Sequence, residues 1–329
     1  MISSLGTALL DEFCWLNVDG SPARPNEVRW GGGGTYAVIG ARIWTSDVGL
    51  VVHRGPDFPP TIQEQLDSFG PIWQFKDVDT PTPHSLNTYH LPSPTRHFRY
   101  LTTPPSLSPS DLLSDPSLTQ TKLLHLCCTP SHLIETILPG LSSFPSSPQL
   151  VYEPIPFACL PSSLPTLKSL FPHIRLFSPN HEEAGAIFGL SPAEMEQPGA
   201  VERVAALFRR EGAGDVIVKS GERGAYVLQK GREEGGAWVR PFHRDAAQVK
   251  DTVGAGNSFL GGTMAGMLLH PDNLLLAARH GSVSAGIVVE SVGLPALTLS
   301  TNGEELWNEK SARARLEEMG ERDKEEGKE

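Results

Sequence analysis

Seven consecutive residues, Asp251-Thr252-Val253-Gly254-Ala255-Gly256-Asn257, combine residue types that together suit phosphoryl transfer. Glycine and alanine let successive backbone N–H groups converge on one point, and a helix opening there adds the positive end of its dipole. An acid, a hydroxyl and an amide stand around that anion hole. The anion that suits such neighbours is a transferring phosphoryl group, with Gly254, Ala255 and Gly256 as donors and Asn257 where an acceptor hydroxyl would be gripped. Taken alone, the stretch reads first as a glycine-rich turn before the apolar run 259–269. The other parts of a transfer site must therefore be sought elsewhere in the chain.

Three further groups supply them. Asn180 and Glu183 stand at i and i+3 on the first turn of a helix, facing one way, where they can hold a hydrated Mg²⁺; by themselves they equally spell an N-cap with a capping box. Ser220-Gly221-Glu222-Arg223-Gly224 follows the apolar strand 215–220 and offers a turn able to pass beside a flat base without side-chain bulk. Gly31 to Gly34 allow a ligand close to the backbone. Residues 26–29 do not read as a strand, and G-x-G-x-x-G spacing fails at Tyr36, so a nicotinamide-dinucleotide fingerprint is set aside. Asp11 and Glu12 end an apolar strand, 4–15, where an acid faces either a ligand or a solvated turn.

The elements that must position these groups follow from hydrophobic patterning. Residues 35–44 read as a helix, 47–53 as a strand and 60–69 as a short helix. Short alternating pieces between 70 and 103, separated by Pro and Thr, read as an antiparallel ribbon, a lid or dimer surface; Arg96 and Arg99 lie in it as candidate substrate contacts. From residue 122 strands and helices alternate: strands at 122–128, 149–154, 174–178, 215–220, 225–229 and 237–242, and helices at 131–138 (capped by Ser131), 161–170, 181–188, 200–211, 258–269 and 272–290. A hairpin turn is expected at 230–236. Such alternation implies a parallel sheet covered on both faces, with ligands beyond the carboxyl ends of its strands. Asn180, Ser220-Gly221 and Asp251 are all expected at such ends. The small residues on one face of 272–290 suit close packing on a sheet, a helix or a nucleotide.

Composition narrows the functional classes. The 329 residues suit one large α/β domain with an elaboration, here residues 1–303, and 304–329 read as a charged helix with a disordered tail from about 322. A net charge of −11 argues against a nucleic-acid partner. Cys14, Cys127, Cys128 and Cys159 lack metal-ligand spacing and read as small apolar residues in a reducing, cytoplasmic compartment. The N-terminus lacks a basic segment and reads as no signal peptide, and no apolar run is long enough to span a membrane.

In order along the chain, these motifs resemble the ribokinase, or PfkB, family of carbohydrate kinases. Residues 251–257 match its D-T-x-G-A-G-D signature, Asn180-His181-Glu182-Glu183 its N-x-x-E, Ser220–Gly224 its adenine-side glycine turn, and Gly31–Gly34 its early sugar-side glycines; Asp11 corresponds to its substrate-contacting acid. The match runs from about residue 120 to 300, is looser before that, and is similar to the fungal maintenance-of-killer members. The resemblance implies a three-layer α/β/α sandwich with a small β lid. It also implies ATP and Mg²⁺, a monovalent cation such as K⁺ near Asp251 and Thr252, and transfer to a primary hydroxyl of a sugar or nucleoside-like small molecule. Ser220, Gly221, Gly224, Asp251 and Thr252 would then meet the nucleotide, and Asp11, Gly32, Gly33 and Asn257 the acceptor. The lid offers a homodimer surface. The departures are specific. The family's proton-accepting Asp is Asn257 here, which can orient a hydroxyl but has no useful basicity, so a kinase and a non-catalytic binding protein both remain open. Tyr36 is expected to crowd the sugar pocket.

Overall fold

The chain forms a nine-stranded sheet, a four-stranded sheet and a two-stranded pair. The computed structural model describes residues 1–92, 96–231 and 235–326, with Arg96 and Glu326 described through their backbone only. The strands are β1 (Ile2–Ser4), β2 (Leu9–Leu16), β3 (Glu27–Gly31), β4 (Val48–Arg54), β5 (Trp73–Asp77), β6 (His84–His90), β7 (Arg96–Tyr100), β8 (Leu123–Cys128), β9 (Gln149–Pro154), β10 (Ile174–Phe177), β11 (Asp215–Lys219), β12 (Ala225–Leu228), β13 (Ala237–Val239), β14 (Leu297–Leu299) and β15 (Glu305–Trp307). The longer helices, in chain order, are α1 (Gly33–Arg42), α2 (Pro60–Asp67), α3 (Leu164–Leu170), α4 (His181–Ile187), α5 (Ala200–Arg210), α6 (Ala255–Leu269), α7 (Leu274–Val289) and α8 (Ala312–Glu326).

The large sheet has the order β13-β12-β11-β10-β9-β8-β1-β4-β5, parallel from β5 through β11 and antiparallel at β12 and β13. Its strands are apolar on both faces, as a sheet covered on both sides requires. Leu50, Val52, Val151 and Ile217 point to a core with α1, α2, α6 and α7. Val51, Leu124, Leu150, Tyr152 and Val218 point the other way, to α3, α4 and α5. This is the three-layer sandwich. Small residues on α1, α6 and α7 serve helix-to-helix packing: a Cβ at Gly261 would overlap the Ala37 carbonyl, so α6 can lie this close to α1 only without one.

The second sheet, β3-β2-β6-β7, is the lid. Here the chain departs from the sequence reading. The expected strand 4–15 is two strands. It breaks at Gly6, whose N–H donates to Ser4 Oγ at 2.9 Å, and the chain passes there from the large sheet into the lid. Residues 27–31 do form a strand, but it runs antiparallel to β2 inside the lid, so the case against a dinucleotide fold stands on different ground. Trp73–Asp77 is the parallel edge of the large sheet rather than lid. The lid thus takes half its strands from before residue 32.

Smaller corrections have local causes. The helical stretch after β8 is capped by Thr129, whose side chain accepts from the His132 N–H, rather than by Ser131. α6 opens at Ala255, earlier than the apolar run, because Gly254 can take the left-handed φ of 79° that starts it. Asp251 is not at a strand end: Lys250 and Asp251 N–H groups bond to the Val289 carbonyl at the end of α7, not to a ladder. The 230–236 turn falls partly outside the described residues. The charged C-terminus is anchored rather than loose. Arg42 forks onto Glu305 at 2.8 and 2.6 Å, Trp307 stacks on Phe69 at 5.9 Å, and α8 continues to Glu326, past the expected start of disorder.

Candidate active site

The start of α6 faces the carboxyl ends of β8, β9 and β11, and the charged residues at those ends converge on it. Gly254 is the N-cap, and the Tyr36 ring lies where its side chain would be. Tyr36 therefore fills the space under the signature loop and is buried there, out of the acceptor pocket it was expected to crowd. Burial, with help from Asp11 and Asp251, raises its hydroxyl pKa well above the ordinary range. Of the expected anion donors, Ala255 is taken: its N–H bonds to the Thr252 carbonyl at 3.2 Å. Among the described residues the N–H groups of Gly254, Gly256 and Asn257 have no protein acceptor, which is what an anion site at a helix start needs.

A cation stands beside them. Lys219, the last residue of β11, has its Nζ 3.5 Å from where a Cβ on Gly256 would lie. Its ammonium is ion-paired with Glu153 of β9, and burial that would lower its pKa is outweighed by Glu153 and Glu183, which raise it. Glu153 also accepts from the Asn257 amide and from His125 Nε2 at 2.8 Å. Burial alone would push its carboxyl up; Lys219 and His125 hold it instead at about 2. Sequence reasoning missed Glu153, Lys219 and His125. The signal was present: QLVYEP and DVIVKS each place one charged residue at the carboxyl end of an apolar strand.

Asn180 and Glu183 form the capping box at the start of α4. Asn180 Oδ1 accepts from the Glu183 N–H and Glu183 Oε2 from the Asn180 N–H, both at 2.8 Å. The capping reading of this pair is thus realised. It leaves Glu183 Oε1 for a ligand, and burial, more than the neighbouring Lys219 can offset, raises the Glu183 pKa. That donor set fits a Mg²⁺ held through waters and nucleotide phosphates, not one chelated by both side chains. Among the described residues no cluster of three His, Cys, Asp or Glu could hold a metal. The Ser220 turn closes with the Ser220 N–H on the Gly224 carbonyl at 2.7 Å. The space off Gly221 is open, and Ser220 Oγ is buried with no partner. At Asp251, Oδ1 accepts from the Val253 N–H at 3.0 Å and Oδ2 faces the Arg29 guanidinium at 3.5 Å.

On the acceptor side, Gly33 opens α1 with its missing side chain pointing at Asn257 Nδ2 (3.1 Å) and Cys127 Sγ (3.4 Å). Gly32, at φ 96°, is the N-cap of that helix. Asp11 lies across Gly31 in the middle of β2, on the inner row Arg29–Asp11–Ser85–Tyr100 of the lid. Its Oδ1 accepts from Ser85 Oγ and from Asn87 Nδ2 at 3.1 Å. Asn87 is almost fully buried, and its Oδ1 has no protein partner. Arg99 pairs with Leu86 on the opposite, exposed face of the lid, and the Arg96 side chain lies outside the described residues. Burial raises the Cys127 thiol pKa above its ordinary value, which favours the thiol over the thiolate.

Comparison with known proteins identifies the family and the fold. Residues 146–301 match the model of the pfkB family carbohydrate kinases. An uncharacterized protein of Schizosaccharomyces pombe is 29% identical over 314 residues, covering 88% of this chain and 85% of its own length. Protein MAK32 of Saccharomyces cerevisiae is 30% identical over 289 residues, 80% of this chain and 78% of its own. Among solved structures, Arabidopsis thaliana ribokinase complexed with ribose and ATP superposes with a TM-score of 0.66 at 16% identity, over 89% of this chain and 93% of that one. The chain belongs to the pfkB family of carbohydrate kinases, in the fungal branch that includes the maintenance-of-killer protein MAK32.

Proposed function

We propose that the protein transfers the γ-phosphoryl group of ATP to a hydroxyl on a sugar or similar small alcohol, with Asn257 in place of a proton-accepting aspartate. The observation that carries this reading is the convergence at the start of α6. Unpaired N–H groups and the Lys219 ammonium, beside Gly256, meet there, and the Asn257 side chain lies against Gly33. Phosphoryl transfer is mostly positioning and charge stabilisation. The free N–H groups and Lys219 would receive the charge that spreads over the moving phosphoryl oxygens. The turn at Gly221 would carry the base, and Mg²⁺ would neutralise the phosphates beside Glu183. Asn257 Oδ1 would accept a hydrogen bond from the acceptor hydroxyl and aim its lone pair. Asp11 and Asn87 would hold further hydroxyls. Lack of a base costs roughly 10²–10⁴ in rate, which leaves a slow kinase rather than an inert one. Steady-state assays with Mg·ATP over a panel of sugars and nucleosides test this, alongside calorimetry of Mg·ATP binding. Acceptor-dependent ADP formation is expected; bound Mg·ATP with no product from any acceptor would sink the reading.

The same Asn257 supports a second reading, a nucleotide- or sugar-binding pseudokinase with a regulatory or scaffold role. It predicts the opposite outcome of that assay: ligand affinity without turnover.

A further inference from the structure

One carboxylate beneath the acceptor pocket collects the polar groups around it. Glu153 is 4% exposed. Its Oε1 accepts from the Asn257 amide and from His125 Nε2, and its Oε2 from Lys219. His125 is fully buried, with Nδ1 2.8 Å from Ser4 Oγ. An ionised carboxylate only accepts, so His125 Nε2 carries the hydrogen of that bond. The same logic fixes the amide of Asn257: its NH₂ edge is on Glu153, and Oδ1 is left for a ligand. A carboxylate at 257 would meet a second carboxylate at hydrogen-bond distance, and two such groups share a proton. The charged and titratable groups facing them are Lys219 from β11, His125 and Cys127 from β8, and Glu183 from α4. Lys219 is already engaged by Glu153 and drawn on by Glu183.

We infer that Glu153 is the positioning residue for Asn257, and that the two divide between them what one carboxylate at 257 would combine: Glu153 holds the negative charge beside Lys219, and Asn257 holds the hydroxyl contact. An aspartate at 257 is then accepted as an anion only if Glu153 is neutral. The electrostatic part stands on the geometry alone; its kinetic consequence rests on the proposed kinase activity.

Four proteins test it: wild type, E153Q, N257D and E153Q/N257D, each followed by thermal melting between ~pH 5 and ~pH 8. In N257D the cluster binds an extra proton near neutrality. A carboxyl whose folded pKa is raised stabilises the fold at low pH and loses that contribution as pH rises. The melting temperature of N257D should therefore fall away from wild type by at least ~3 °C across the range, while E153Q/N257D stays parallel to wild type. Parallel profiles for N257D and wild type overturn the inference. If N257D does not fold at neutral pH, recovery at ~pH 5 or in the double variant supports it, and failure of both overturns it. Where Mg·ATP turnover is measurable, the double variant should exceed N257D by at least ~10-fold, and equal rates overturn the kinetic part. The expected melting pattern with no turnover in any of the four retains the inference and removes the kinase reading.

Discussion

Lys219 has two tasks, and its substitution separates them by measurement. As the partner of a buried carboxylate, its loss leaves Glu153 uncompensated; Lys219→Met should cost about 3–5 kcal/mol of stability, read by urea denaturation. As the cation at the anion hole, its loss should weaken Mg·ATP binding or turnover by ~10²-fold or more in protein still folded at low temperature. Individual residues were unevenly legible in the sequence. Residues 251–257 became legible only in order with Asn180, Glu183 and Ser220–Gly224, because a glycine-rich turn before a helix is by itself ambiguous. Glu153 could be seen as a charged strand end, but its contact with Asn257 spans 104 positions. Local pattern carries no information about a pair that far apart. The capping at Asn180 and Glu183 was legible because both bonds are made within three residues.

At the level of elements, the large sheet was readable wherever a strand is buried on both faces, since its residues then form one apolar run. The lid was harder, because its strands alternate and are short. Glu27 and Arg29 break the apolar signal of β3, and both point to the inner face with Asp11. The break at Gly6 was hidden because residues 2–5 before it and 8–10 after it are all buried. In the proposed function the lid recognises the acceptor, and Asn87 tests that without touching the proposed nucleotide side. Its Oδ1 is buried without a partner, and its Nδ2 steadies Asp11. Asn87→Leu should raise the acceptor KM, or weaken acceptor binding in calorimetry, by about 10–100-fold. Mg·ATP affinity should stay at the wild-type value. A parallel loss of both affinities would show that the lid was distorted.

For the whole molecule, two ion-paired carboxylates, the buried Glu153 and the partly buried Glu290, contribute to acid stability. Glu290, at the end of α7, is bonded to Arg315 of α8, to His243 and to Asn308, and these hold its carboxyl at about 2 against the opposing effect of burial. Glu153 is held at about 2 by Lys219 and His125. Both folded pKa values lie below the ordinary 4.5, so their contribution is complete above that value and disappears as pH falls through about 2. Glu290→Ala should lower stability by about 3 kcal/mol at neutral pH and flatten the loss between ~pH 4.5 and ~pH 2 in denaturation profiles. The reading of 304–329 as a charged helix with a disordered tail missed its anchoring: charged residues look solvated in a sequence, and only the fold shows that Arg315 is 4% exposed and Arg42 reaches Glu305.

The order of the chain assigns its two recognition problems to different stretches. The lid strands and Gly31–Gly33, which frame the acceptor, all lie before residue 101, whereas Asn180, Lys219 and the α6 start lie within the family-matched stretch 146–301. In the proposed function, choice of acceptor and handling of phosphate would therefore be separately heritable. A chimera that takes residues 9–100 from a relative of known specificity should exchange what is bound while leaving the nucleotide machinery intact. The exception is the contact that Gly33 makes across the boundary with Asn257, which is where such a graft would have to be matched.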